Sequence, residues 1–260
     1  MKIGFIGAGK MGTALAQGIA VENSETVFYV FDKYTEQCIN FASKVKNTIT
    51  CKAIPEVLDN SEIVFICVKP QNFSEIEDSF SSYDKVIVSI MAGVPISRIK
   101  SASPSSGIIR VMPNTPCIAG QMAAGFSTDP DISSEQKSIV KSFLDSSGIS
   151  IEVTEDKLDA VTALSGSGPA FFALIYKYFK QAGEKLGLDE KTALKLCLQT
   201  ALGTVTLIDK SDISIDELVN MVTSRGGTTE AGRKILENSD ISLVIENTLK
   251  AAEKRSRELR

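Results

Sequence analysis

The chain has 260 residues, of which 43% are hydrophobic and 23% charged, with a formal net charge of −4. That length supports a sizeable core and one large or two modest domains, and the composition is ordinary for a globular enzyme. The acidic balance speaks against a nucleic-acid groove: the one basic run, Lys254–Arg260, is mixed with Glu258 and reads as a solvated helix end.

The first predicted strand, residues 2–7, follows Met1 directly, which leaves no room for a signal peptide. It runs into Gly7-x-Gly9-x-x-Gly12 and a helical pattern that begins at Lys10. In a dinucleotide site Gly7 allows the tight turn, Gly9 lets a pyrophosphate approach the backbone, and Gly12 lets helix and strand pack closely. The helix N-terminus adds free N–H groups and a positive dipole end. A second apolar run, Val27–Phe31, ends in Asp32, where a carboxylate can accept from ribose hydroxyls. The competing reading is a structural βα turn; strand, helix and Asp32 together weigh against it.

Further apolar runs at 48–51, 63–68, 86–90 and 107–112 alternate with helical spacing, such as Met11, Leu15 and Ile19 in the first helix. This alternation predicts a doubly wound parallel sheet covered on both faces, with ligands at the carboxyl ends of the strands. After the fourth strand come Val68, Lys69 and Pro70; Lys69 reads equally as a ligand contact or an exposed loop lysine. After the fifth, Met91 and Ala92 offer space for a flat ring, and after the sixth Asn114 sits in a proline-bracketed loop, Met112–Pro116. Two further strands, 121–128 and 148–153, flank a predicted helix at 133–146.

From residue 156 onward only helical patterns remain, which divides the chain into a dinucleotide-binding domain, 1–156, and a helical domain, 157–260. The helix at 191–208 is apolar around most of its circumference, so it is expected to be buried. A second chain is the natural cover, with burial inside one subunit as the alternative. Thr223–Ala231 places paired glycines and hydroxyls at a helix start, which reads as an anion site or as a helix capped by Thr228 or Thr229. Five scattered cysteines without CxxC spacing indicate reduced thiols, not a disulfide frame or metal site. No apolar run is expected to approach membrane-spanning length, so the protein is expected to be cytoplasmic, without membrane or nucleic-acid partners.

Taken together, FIGAGKMG at 5–12, VKPQ at 68–71, MPNTP at 112–116, ALSGSGPA at 163–170 and TSRGGTTEAG at 223–232 closely resemble the pyrroline-5-carboxylate reductases. The last two motifs are the specific ones. The resemblance implies an N-terminal Rossmann domain, an all-α C-terminal dimerisation domain that interleaves with a partner subunit, and hydride transfer from NAD(P)H to the cyclic imine to give L-proline. It places the cofactor on Ile6, Gly7, Ala8, Gly9, Lys10 and Met11, on Val68, Lys69 and Pro70, and on Met91, Ala92 and Asn114, to which the dinucleotide-fold reading adds Asp32 and Lys33. It places the substrate on Glu155, Gly226, Gly227, Thr228 and Thr229, with Thr229 at the imine nitrogen, and no metal is implied. The chain departs from the family at Arg225, where proline is usual. It departs again at Asp32-Lys33, where many relatives carry Ser, Asn or Arg; Asp32 favours NADH and Lys33 opposes it.

The chain has no histidine, the residue that many ketone reductases use as acid–base. A cyclic imine is basic enough to arrive partly protonated, and its iminium accepts hydride without a protein proton. Three rivals remain: a β-hydroxyacid dehydrogenase using Lys177, Lys180 or Lys185, a short-chain dehydrogenase using Tyr176 and Lys180, and a non-catalytic dinucleotide- or pyridoxal-phosphate-binding module.

Overall fold

Strand and helix alternate along the first part of the chain because short β-branched and aromatic runs are separated by glycine, proline and polar turns. The computed structural model describes residues 1–259. In chain order it holds β1 (Lys2–Ile6), α1 (Lys10–Glu22), β2 (Val27–Phe31), α2 (Thr35–Lys44), β3 (Thr48–Thr50), α3 (Ile54–Asn60), β4 (Ile63–Ile66), β5 (Val86–Ser89), α4 (Ile96–Ala102), β6 (Gly107–Met112), β7 (Met122–Thr128), α5 (Ser134–Asp145) and β8 (Gly148–Glu152). Short 3-10 turns at Pro70–Glu75 and Glu77–Phe80 stand where a crossover helix between β4 and β5 would be.

The eight strands form one sheet in the order β3-β2-β1-β4-β5-β6-β7-β8. Six run parallel, as the alternation predicts. The last two depart from the expected all-parallel sheet, since β7 pairs antiparallel to β6 and β8 follows β7. The cause is the connection: only the Pro113–Gln121 loop joins β6 to β7, too short for the crossover that parallel pairing needs. The central strands β1, β4 and β5 are buried on both faces, so neighbours in sequence serve different layers. Phe5 and Phe65 stack at 4.8 Å with Phe28 and Phe41 on one side, whereas Ile6, Ile66, Phe73 and Ile87 fill the other.

Every element after β8 is helical: α6 (Leu158–Val161), a π turn at Thr162–Gly166, α7 (Gly168–Lys185), α8 (Glu190–Lys210), α9 (Ile215–Met221), α10 (Thr228–Glu237) and α11 (Ile241–Glu258). By packing, the chain falls into two units, Met1–Pro169 with the chain from Ala251 onward, and Ala170–Lys250. The division lies beyond the change of pattern near residue 156 because Leu158 and Ala163 are buried. Val161 fills the space over β7, where a Cβ on Gly125 would lie 2.8 Å from it. In the same unit, near the C-terminus, Ser256 donates to the buried Asp159 at 2.8 Å.

α8 is not buried within the chain, which goes against the alternative of burial inside one subunit: only its Ala193 is buried, and Leu202 and Val205 remain 61% and 62% exposed. The continuous helical stretch Glu155–Lys185 is also long and apolar enough to cross a membrane by length and composition, contrary to the expectation of no such run. Its first part packs within the N-terminal unit, and its exposed apolar residues, Phe172, Tyr178 and Phe179, belong to the helical unit.

Candidate active site

The glycine turn after β1 shapes a cleft of about 500 Å³ at the carboxyl ends of β1, β2 and β4. Gly7 has φ +99°, and a Cβ there would lie 2.7 Å from the Cys67 carbonyl carbon. Only glycine adopts that backbone and that approach without strain. A Cβ on Gly12 would meet the Gly7 oxygen at 2.8 Å, so α1 packs directly on the turn. A Cβ on Gly9 would meet nothing within 4 Å; Gly9 faces open space as the N-cap of α1. The first turn-closing bond of α1 runs from Thr13 N to Gly9 O at 3.0 Å. The amides of Lys10, Met11 and Gly12 precede it and are available to an anion.

Asp32 fixes the other side of this turn. One carboxylate oxygen accepts from Ala8 N at 2.8 Å and the other from Tyr34 N at 2.9 Å. Each oxygen keeps acceptor capacity for a ribose hydroxyl. Lys33, next to it, reaches across the cleft to Glu75 at 3.7 Å and lies 5.6 Å from the Tyr34 ring centre.

Of the expected cofactor residues, the cleft brings together Ile6, Gly7, Gly9, Asp32, Lys33, Val68 and Lys69. Ala8 is fully buried and reaches the site through its N–H alone. Pro70 starts the 3-10 turn that carries Gln71, Asn72 and Glu75 into the lining. The wall does not include Met91, Ala92 or Asn114. The Met91 side chain is 2% exposed and belongs to the core. Asn114 is engaged within the protein: its Oδ1 accepts from Ala123 N at 3.0 Å and its Nδ2 donates to Ser165 O at 3.1 Å. The amide therefore ties the MPNTP loop to the π turn. Against that turn a Cβ on Gly166 would meet Met112 Cε at 2.9 Å.

Glu155 likewise has partners within its own unit. Its Oε1 accepts from Arg110 Nη1 at 2.9 Å and from Ile96 N at 2.8 Å, at the first turn of α4. Arg110 is 4% exposed, so this carboxylate neutralises a guanidinium buried in β6.

In the helical unit, α10 starts at Thr228 with Gly227 as N-cap, and no side chain caps it. The expected alternative, a helix capped by Thr228 or Thr229, is thus not what forms; both threonines are exposed. Gly226 has φ +74°, and its N–H donates to Glu230 Oε2 at 2.6 Å. That bond holds the loop in a turn that leaves the amides of Thr228 and Thr229 forward of the helix. Tyr176 and Lys180 do not form a catalytic pair: the tyrosine stacks on Phe172 at 6.3 Å and the lysine binds Glu190 at 2.6 Å.

Burial pushes the Cys38, Cys67 and Cys117 thiols up, and that of Cys51 up to about 11, so none of these four is poised as a thiolate. All five cysteines are free, and no cluster that could hold a metal occurs among the described residues. Sequence reasoning missed Gln37, Asn72 and Glu75 in the cleft, which carry no motif of their own, and Arg110, whose charge lay hidden in an apolar strand.

Comparison with known proteins places this geometry. Residues 155–259 match the family described as pyrroline-5-carboxylate reductase dimerisation, and residues 2–93 match that described as NADP oxidoreductase coenzyme F420-dependent. A pyrroline-5-carboxylate reductase of Staphylococcus aureus (strain COL) is 35% identical over 100% of this chain and 98% of its own length. Pyrroline-5-carboxylate reductase 2 of Bacillus subtilis (strain 168) is 32% identical over 100% and 95%. Among solved structures, the Coxiella burnetii pyrroline-5-carboxylate reductase aligns with a TM-score of 0.92 at 31% identity, covering 99% of this chain and 97% of that one. The Plasmodium falciparum pyrroline carboxylate reductase, solved with NADP bound, aligns at 0.84 and 30% identity, covering 100% and 98%. With sequence and fold matching from end to end, the chain belongs to the pyrroline-5-carboxylate reductase family.

Proposed function

We propose that the protein reduces 1-pyrroline-5-carboxylate to L-proline with NAD(P)H, the last step of proline synthesis. The observation that carries this reading is the glycine cradle: Gly7 and Gly12 admit no Cβ, Gly9 opens onto the cleft, and free amides stand behind it. These residues fit a dinucleotide pyrophosphate. Asp32 is available to the ribose hydroxyls, and Val68 and Lys69 line the wall beyond. Asn114 acts by holding the MPNTP loop, and Met91 by packing the core after β5.

The reduced nicotinamide, when bound, supplies the hydride. The chain's part is to position and to balance charge. The amides of Thr228 and Thr229 hold the substrate carboxylate at the N-terminus of α10, while the Gly227 N–H donates to Ser224 O at 3.0 Å and fixes the turn. The Thr229 hydroxyl bonds at the imine nitrogen, which arrives protonated and leaves as the amine of proline. No residue need deliver a proton to the nitrogen, consistent with a chain that has no histidine. Lys69 adds positive charge at the cleft wall, and Glu155 shapes the substrate side through Arg110 and α4.

The assembly is a homo-oligomer built on a dimer, in which a second copy covers α7 and α8. Five unpaired thiols suit a reducing, cytoplasmic setting. Turnover of NADH and NADPH with pyrroline-5-carboxylate, set against a panel of ketoacids, tests the reading. Reduction of a ketoacid in preference to the imine would overturn it.

A further inference from the structure

Beside Lys69, the cofactor cleft carries one carboxylate on the wall facing Asp32 and Lys33, and no motif marks it. Glu75, at the end of the 3-10 turn that follows the VKPQ segment, lies 3.7 Å from Lys33 Nζ. Both side chains are open to solvent, at 59% and 49% exposure, and both line the cleft with Asp32. Lys33 is the cation adjacent to Asp32, the residue whose carboxylate stands ready for the ribose. A 2′-phosphate on that ribose needs a cation that is free to meet it. Here the cation is drawn to the far wall by one carboxylate and flanked by another, whose two oxygens are fixed by Ala8 N and Tyr34 N.

Resting on the reading of this cleft as the dinucleotide site, we propose that Glu75 is a specificity-determining residue that favours NADH by capturing Lys33. An exposed ion pair is weak by itself, but the quantity at stake is a difference between two ligands. NADH places a neutral hydroxyl beside the pair and leaves it intact. NADPH places a dianion there, which must take Lys33 from Glu75 and then sit near two carboxylates. Freeing the positive charge of Lys33 to meet that phosphate is worth about three- to tenfold in affinity.

The test uses the full-length protein and two variants, Glu75→Gln and Lys33→Met, alone and combined. Two readouts are taken: the kcat/KM ratio of NADPH to NADH, and calorimetric Kd values for 5′-AMP and 2′,5′-ADP, which need no turnover. Glu75→Gln is expected to raise the NADPH-to-NADH ratio about three- to tenfold and to tighten 2′,5′-ADP relative to 5′-AMP by a similar factor. Adding Lys33→Met is expected to cancel both gains. An unchanged ratio in Glu75→Gln overturns the proposal, and so does a gain that survives Lys33→Met, since the carboxylate would then act without the lysine. If the unmodified protein binds neither 5′-AMP nor NADH, the dinucleotide reading itself falls; if it binds them and only the ratio fails to move, only the role of Glu75 falls.

Discussion

Replacing Glu155 by alanine separates two accounts of this residue, because the structure gives it work apart from any substrate. The substitution removes the acceptor of Arg110 Nη1 and of Ile96 N at once. Arg110 is 4% exposed and would be left as a buried guanidinium with no carboxylate. Breaking a fully buried ion pair from one side costs about 3–5 kcal/mol. The Glu155 side chain is 31% exposed, so water can enter the space it vacates, and the expected loss is about 2–3 kcal/mol. For a chain of this size that is a Tm lower by about 4–10 °C. Arg110→Met is expected to cost less, about 1–2 kcal/mol, because Glu155 stays hydrated on its open side and keeps its bond to Ile96. In the double variant the losses should add to less than their sum, since no buried charge remains. Scanning calorimetry and denaturant titration at fixed protein concentration measure all three. A Glu155→Ala protein within about 0.5 kcal/mol of the parent would refute the structural role, and a raised KM for the imine at unchanged stability would then assign Glu155 to the substrate alone.

Gly7→Ala is expected to lose about 2–5 kcal/mol, from its positive φ and the backbone of Cys67 in its path; an unaltered Tm would contradict the packing of the turn. Gly9→Ala should fold with a loss of about 1 kcal/mol or less, at the cap, yet bind NADH at least tenfold more weakly, which titration of nucleotide fluorescence checks. Thr229→Val should lower kcat/KM for the imine by about ten- to a hundredfold, with NADH affinity nearly unchanged; full activity would return that hydroxyl to the helix surface. Leu202→Glu, at a site 61% exposed in one chain, should shift sedimentation towards monomer, and an unshifted dimer would place the interface elsewhere.

Much of the sheet was legible in the sequence because its signals are local. Gly7 and Gly12 are required by contacts with the turn itself or with the strand beside it, whereas Gly9 is left open. Runs such as Val27–Phe31 are apolar on both faces because a parallel sheet has no wet side. Strand ends were read one or two residues long at Gly7, Cys67 and Ile90, where the chain leaves the ladder while still apolar. The direction of β7 was not legible from its residues: alternation is the same either way, and the length of the loop before it decides. Glu75 and Arg110 were missed for a related reason. Each matters through a partner far off in sequence, Lys33 in one case and Glu155 in the other, and charge pairs at that separation leave no periodic trace.

The helical unit is a different case, because what organises it is not in the chain. Between Ala170 and Lys250 only Ala193 and Leu218 are buried. Phe172, Phe179, Leu196, Leu202 and Val205 are all more than half exposed. A core of two residues cannot offset the conformational entropy of ordering the helices α7 to α11, which runs at about 1–2 kcal/mol per residue for the backbone alone. Propensity does not close the gap, since most helical stability in proteins comes from the tertiary packing of an apolar face. The apolar surface must therefore be covered for the unit to stand, and the unit falls within the segment that matches a dimerisation family. The all-round apolar pattern of α8 was read correctly as a demand for burial; what a single sequence leaves open is which chain meets it. The loop at Gly226–Thr229 belongs to this same unit, so the fixed placement of its amides depends on that cover.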